Sequence, residues 1–96
     1  MKIGDIRDGD RKIDIEAEVI EKTEAREAKS KYTNETFRVA TATIEDETGH
    51  MPLNLWNEQV DQVRVGDRVK IENCYVKSFR DVLQLNSGKY GTLTVL

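Results

Sequence analysis

"DETGHMPLNLW", residues 46–56, runs from a tight acidic turn into a short strand that ends on the only Trp in the chain. Gly49 frees the backbone at the turn, and Asp46 can hydrogen-bond its own backbone. Beyond the turn the residues alternate. Met51, Leu53 and Leu55 share one parity; His50, Pro52, Asn54 and Trp56 share the other. Strand side chains point to opposite faces in turn, so the apolar set belongs to a core and Trp56 falls on the outer face beside Asn54. A large apolar ring on a polar face calls for a use. The competing reading is that a twist at the last strand residue returns the ring to the core.

The same period-2 pattern spreads in both directions. Upstream, Ile13, Ile15, Ala17 and Val19 alternate with Asp14, Glu16 and Glu18, as in a half-buried strand. The adjacent Val19 and Ile20 break the alternation as a bulge or strong bend would. Residues 24–35 are polar and read as a long loop. "TFRVATATIE" from Thr36 reads as a second strand whose faces the residues leave ambiguous. Downstream of Trp56, "NEQVDQV" reads as a short helix over residues 57–63. Asn57 is its N-cap candidate, Val60 and Val63 lie on one face, and Gly66 follows as terminator. A fourth strand starts near Arg68 and a fifth near Val82, with "SFRD" as the turn between them. "TLTVL" is read as an extension of the last strand after an irregular "NSGKYG". In the fourth strand Val69 and Ile71 face inward. A register switch near Asn73 then turns Cys74 and Val76 inward and places Tyr75, Lys77 and Phe79 outward.

An order β-β-β-α-β-β in about a hundred residues is that of an all-β OB-fold, a five-stranded Greek-key barrel with a short helix between strands 3 and 4. Closure also removes the exposed edges that five alternating strands would otherwise carry. The expected core is Ile13, Ile15, Val19, Leu53, Leu55, Val69, Ile71, Val76, Leu83 and Leu85.

Length and composition narrow the function. The 96 residues make one domain, 1–96, large enough for a core without staples. A single Cys, Cys74, rules out an internal disulfide and a cysteine-built zinc site, and it reads as a small buried hydrophobe. The N-terminus does not resemble a signal peptide, and no apolar run approaches the roughly 18 residues of a membrane span. A cytoplasmic location without membrane partners is expected. The net charge of −3 argues against a nucleic-acid partner, but its distribution does not. Residues 26–38 and 77–89 each carry +2, so the remainder carries −7. Two basic segments on one face can still hold a phosphate backbone; solvated charged loops are the plainer reading. Of six aromatic residues, Trp56, Tyr75 and Phe79 are placed outside, with Lys77 between two of them. Exposed rings stack on bases at about 1–3 kcal/mol each, whereas rings capping the barrel's ends would need no ligand.

"DETGHMPLNLWNEQ", "VGDRVKIENCYVKSF" and "LQLNSG", in that order and spacing, resemble the single-stranded DNA-binding OB domains of archaeal single-stranded DNA-binding proteins and of replication protein A. The likeness covers residues 46–88 and extends more weakly through "EVIEKTEAREAKSK". It implies that a single strand lies across strands 2 and 3, clamped by the loops between strands 1 and 2 and between strands 4 and 5. It implies base stacking on Trp56, Tyr75 and Phe79, with Tyr75 standing where some relatives have Trp. Backbone contacts are expected from Lys77, from Arg26, Lys29, Lys31 and Arg38 of the first basic segment, and from Arg80 and Lys89 of the second. Unlike some relatives, the sequence shows no disordered charged tail, tandem copy or zinc finger, which fits a small whole protein or one module of a longer one. The expected role is binding of single-stranded DNA, largely independent of sequence, in replication, repair or recombination, alongside other replication or repair proteins.

An enzyme is not expected. His50, the sole His, lacks a Ser or Cys partner at a recognisable spacing, and "NSGKYG" lacks the Gly-Lys-Ser/Thr ending of a phosphate loop. Glu45, Asp46 and Glu47 suit turn chemistry better than a metal site, so neither metal nor cofactor is expected. Two alternatives remain open at this stage: an RNA- or tRNA-binding OB module, and a protein-interaction OB subunit of a replication protein A-like complex.

Overall fold

Backbone hydrogen bonding follows the alternation closely. The computed structural model describes residues 2–29, 32–87 and 91–96, with Phe79 described by its backbone alone. A 3-10 turn at Ile3–Asp5 precedes β1 (Ile13–Lys22), β2 (Arg26–Lys29), β3 (Thr36–Asp46), β4 (Gly49–Trp56), helix α1 (Glu58–Gln62), β5 (Arg68–Phe79), β6 (Val82–Asn86) and β7 (Thr92–Val95). The strands lie in the order β1-β3-β4-β6-β5-β7, and β1 also pairs with β5. The sheet therefore closes on itself as β1-β3-β4-β6-β5-β1. All pairings are antiparallel except β4 with β6.

Two bends make closure possible. β1 serves both sides of the ring, pairing with β5 through Ile13–Glu18 and with β3 through Glu18–Lys22. Its register shifts between Val19 and Glu21, the bulge that the Val19-Ile20 pair signals. β5 bends at Asn73, which adopts φ 54° where Ile15 pairs with Ile71 but Ile13 pairs with Cys74. The Asn73 N–H donates to Asp14 Oδ1 at 2.9 Å, replacing the ladder bond lost at the bulge. Cys74 and Val76 consequently turn into the core. Every expected core residue is buried except Leu83, which is half-buried against the same cluster. Ala40, Ala42 and Ile44 of β3 complete it, settling which face of that strand points inward. Small alanines there allow β3 to approach the opposite wall of a narrow barrel.

Several local expectations need correction. The polar stretch 24–35 contains a strand: β2 pairs with β3 from Arg26↔Val39 to Lys29↔Thr36. Its apolar signal is absent because only Ala28 is half-buried. The C-terminal strand does not extend β6. β7 crosses to the other edge of β5, pairing Val69↔Val95 and Ile71↔Leu93. Asn57 adopts φ 51°, ψ −114° and makes no side-chain cap; its Oδ1 accepts the Arg38 N–H instead. The helix ends at an extended Val63, and Gly66, at φ 96°, forms the next turn and donates its N–H to the Val19 carbonyl. Lys22 Nζ caps the helix C-terminus through the carbonyls of Val60 and Val63, a favourable place for a cation.

The acidic turn of the opening stretch anchors the N-terminal segment. Asp46 Oδ2 accepts the Ile3 N–H at 2.8 Å, Thr48 Oγ1 accepts the Gly4 N–H at 2.8 Å, and the Thr48 N–H donates to Asp46 Oδ1 at 2.7 Å. Ile3 and Ile6 then join the core. Asp46 is structural, as its place in the turn implies. Among the described residues no helix is long and apolar enough to cross a membrane, and no group of three His, Cys, Asp or Glu side chains could hold a metal ion.

Candidate nucleic-acid interface

The outer face of β3, β4, β6 and β5 gathers the residues of interest by register. Across the sheet, Thr41 pairs with Asn54, Asn54 with Asn86, and Asn86 with Tyr75. One row over, Lys77 pairs with Gln84. Trp56 lies two residues beyond Asn54 on the same face, opposite Val39, which in turn pairs with Arg26 of β2. Directly paired residues share a face, so β2 extends the same outer surface and aligns Arg26 with Trp56. Lys29 falls on the alternate parity.

Trp56 is 41% exposed and Tyr75 40%. Both line one open cleft of about 770 Å³ with Phe37, Gln59, Ser87 and Leu93. Phe37 braces the indole edge-on, with centroids 6.3 Å apart and planes at 83°, an arrangement that suits the ring quadrupoles. The contact holds the indole while leaving it part-exposed. The backbone N–H of Trp56 donates to Gln59 Oε1 at 3.2 Å, and Gln59 Nε2 donates to Ser87 Oγ at 2.8 Å. One side chain of the helix thus ties the end of β4 to the end of β6. Gly91 continues this rim; a Cβ there would collide with the Ser87 carbonyl, so the close approach requires glycine.

The basic candidates separate. Arg26, Lys29 and Lys77 are exposed. Arg80 occupies the β5–β6 turn at φ 52°. Arg38 forms a bidentate pair with Asp61 of α1, at 2.6 and 3.0 Å, and that hydrogen bond and charge hold the Asp61 carboxyl below its usual range. The guanidinium fastens helix to strand. Lys31, Lys89 and the Phe79 side chain lie outside the described residues; the Phe79 backbone pairs with Val82. Reading the sequence alone missed three contributors: Phe37, β2, and the amides of Gln84 and Asn86. Gln84 and Asn86 were within reach, because they alternate with Leu83 and Leu85.

Comparison with known proteins agrees with this architecture. The family model described as "Single-stranded DNA binding protein Ssb-like, OB fold" matches residues 12–95. The chain belongs to that OB-fold family, whose members are binding proteins rather than enzymes. It is 32% identical over 87 residues to the single-stranded DNA binding protein Ssb of Saccharolobus solfataricus, covering 91% of this chain and 57% of that one. It is 38% identical over 81 residues to the replication factor A of Methanothermobacter thermautotrophicus, covering 83% of this chain and 10% of that protein. The chain thus spans little more than half of one curated relative and a tenth of the other. Among solved structures, the second OB-fold domain of replication protein A from Methanococcus maripaludis superposes with a TM-score of 0.80 at 23% identity, covering 100% of this chain and 93% of that domain. At that identity the likeness concerns the fold.

Proposed function

We propose that this domain binds single-stranded DNA with little dependence on sequence, in replication, repair or recombination. The observation that carries the reading is the pair of half-exposed rings, Trp56 and Tyr75, on one outer face and in one cleft. Bases stack on both rings, and on Phe79 at the far end of β5. Lys77 supplies a cation between Tyr75 and Phe79. Arg26 of β2, with Lys31, Arg80 and Lys89, follows the phosphates, and Lys29, on the alternate face of β2, meets them where the DNA passes the edge of that strand. Arg38 acts mainly through Asp61, keeping α1 against β3. Family membership supports the ligand class, since the curated relatives carry single-stranded DNA binding and replication in their names.

Titrating the domain with oligo(dT), followed by Trp56 fluorescence at several salt concentrations, tests the reading. Stacking quenches the indole. With roughly three to five phosphates neutralised, log affinity falls against log salt with a slope of about −2 to −3.5, and single strands outcompete duplex. Undetectable binding at low salt, or affinity indifferent to salt, would overturn the proposal.

A further inference from the structure

Beside Tyr75 the outer face is floored by amides, and their hydrogen bonds run in one direction. Asn54 Nδ2 donates to Gln84 Oε1 at 3.0 Å and to Asn86 Oδ1 at 3.1 Å. Both of its hydrogens are consumed, and its Oδ1 accepts from Thr41 Oγ1 at 3.4 Å. A primary amide has two donors and one carbonyl. Fixing the carbonyls of Gln84 and Asn86 toward Asn54 therefore turns their amino groups away from it. The side-chain bonds of Gln84 and Asn86 run through their carbonyls, and no buried side-chain nitrogen or oxygen among the described residues lacks a partner, so each amino group keeps some exposure. Gln84 is half-buried and Asn86 7% exposed, which makes Gln84 the more accessible donor. The strip offers N–H groups and no net charge: Asn86 pairs with Tyr75 and Gln84 with Lys77, while Asn54, level with Asn86, lies two residues from Trp56.

We propose that the Gln84 and Asn86 amino groups donate to acceptor oxygens on the edges of stacked bases, so that the site favours bases carrying carbonyls (thymine, cytosine, guanine) over adenine. The inference rests on the stacking reading above. A base lying flat on Trp56 or Tyr75 leaves its edge for neighbouring side chains, whereas phosphates are better met by Lys77 and the β2 cations. Adenine alone among the four has no carbonyl oxygen; its ring acceptors flank an exocyclic amine, and the amide carbonyls that could accept from that amine are already taken by Asn54. Asn54 does not contact the base; it is a positioning residue that orients the two amides.

The test uses Gln84→Met, which keeps side-chain length and removes the amide, and Asn86→Asp, which can still accept from Asn54 but no longer donates. Affinities of wild type and variants are measured for oligo(dT), oligo(dA) and an abasic oligomer of equal length at one salt concentration. Self-stacking of oligo(dA) is common to all proteins, so the change in the dT:dA ratio isolates the amides. Gln84→Met is expected to lower that ratio about three- to tenfold, the worth of one net hydrogen bond, with abasic binding unchanged. Asn86→Asp lowers the ratio in the same direction, and its added charge weakens all three oligomers by a common factor that cancels. A ratio unchanged in both variants overturns the proposal, as does an equal loss across all three oligomers with Gln84→Met, which would place the donors on phosphate. A wild type that binds none of the oligomers overturns the single-strand reading itself; one that binds well with an unaltered ratio overturns only the role of the amides.

Discussion

Trp56 and Cys74 show how strand parity sets two opposite fates. The indole makes a T-shaped contact with Phe37 and is left 41% exposed. Trp56→Ala should weaken oligo(dT) binding by about 1–3 kcal/mol, the worth of one stacked base. Its cost in urea unfolding should stay below the roughly 3–5 kcal/mol of a fully buried Trp. A badly destabilised variant that binds labelled oligo(dT) normally would make the ring structural. Cys74 sits at the other extreme. Its side chain is fully buried, its thiol donates to the Ile13 carbonyl at 3.0 Å, and burial pushes its pKa up to about 11. The thiolate is the reactive form, so a thiol reagent at pH 8 should modify Cys74 only as fast as the barrel opens. Labelling that is rapid under native conditions, and independent of added urea, would contradict this.

At the scale of elements, the β5–β6 hairpin carries visible strain. Its two-residue loop, Arg80 and Asp81, has φ 52° and 63°, the left-handed pair that suits the twist of a tight hairpin and that Asn-Gly usually supplies. Non-glycine residues pay about 1–2 kcal/mol for that conformation, partly offset by the extra entropy glycine loses on folding. Asp81→Gly should therefore raise stability by about 0.5–1 kcal/mol in chemical denaturation. It also removes a carboxylate beside Arg80, so oligo(dT) should bind somewhat more tightly at low salt, the gain fading as salt rises. An unchanged or lower midpoint would show that the Asp81 side chain serves the turn. Helix α1 illustrates the complementary case of an element secured from outside. Five residues are too few to be stable alone; Lys22 holds its C-terminus, Asp61 ties it to Arg38, and Val60 anchors it in the core.

At the scale of the molecule, the Asp46 turn joins the N-terminal segment to the rest of the barrel. Partial desolvation tends to raise the Asp46 pKa. The hydrogen bonds from Ile3 and Thr48, with the nearby charge of Lys2, outweigh it and leave the carboxyl below its usual value. A depressed carboxyl contributes stability that is present above its unfolded pKa, near 4, and is lost as pH falls through the folded value. Wild type should shed this increment below about pH 4, and Asp46→Asn should lack that part of the acid dependence. At pH 7 the variant should be less stable by about 1–2 kcal/mol, since one charge-assisted acceptor is lost at a partly exposed site. Identical acid profiles for the two proteins would assign the acid dependence to other groups. The clamp and the stacking face lie at opposite ends of β4, Asp46 pairing with Gly49 and Trp56 with Val39, so oligo(dT) affinity at neutral pH should be the same in both.

Much of the barrel was legible because its determinants are local and periodic. Leu53, Leu55, Val69 and Ile71 declare their face by simple alternation, and even the break at Asn73 is visible as a change of parity. The outward placement of Trp56 and Tyr75 follows from the same rule, with no knowledge of what surrounds them. Interactions between distant residues were not legible. β2 has no apolar alternation, because a strand laid on the rim of a barrel buries little; only its pairing with β3 reveals it. The neighbour of β7 is not written in its own residues, because its register with β5 is fixed by backbone bonds that any sequence can make. Arg38 reads as a free cation until the fold brings Asp61 within 2.6 Å. The direction of the Gln84 and Asn86 amides exists only once β4 and β6 lie side by side in parallel. Periodicity along the chain thus determined which side chains face the core and which face outward, since that depends on backbone geometry alone. Which outward groups neutralise, brace or orient one another was decided by tertiary structure, because those energies depend on distances between residues far apart in sequence.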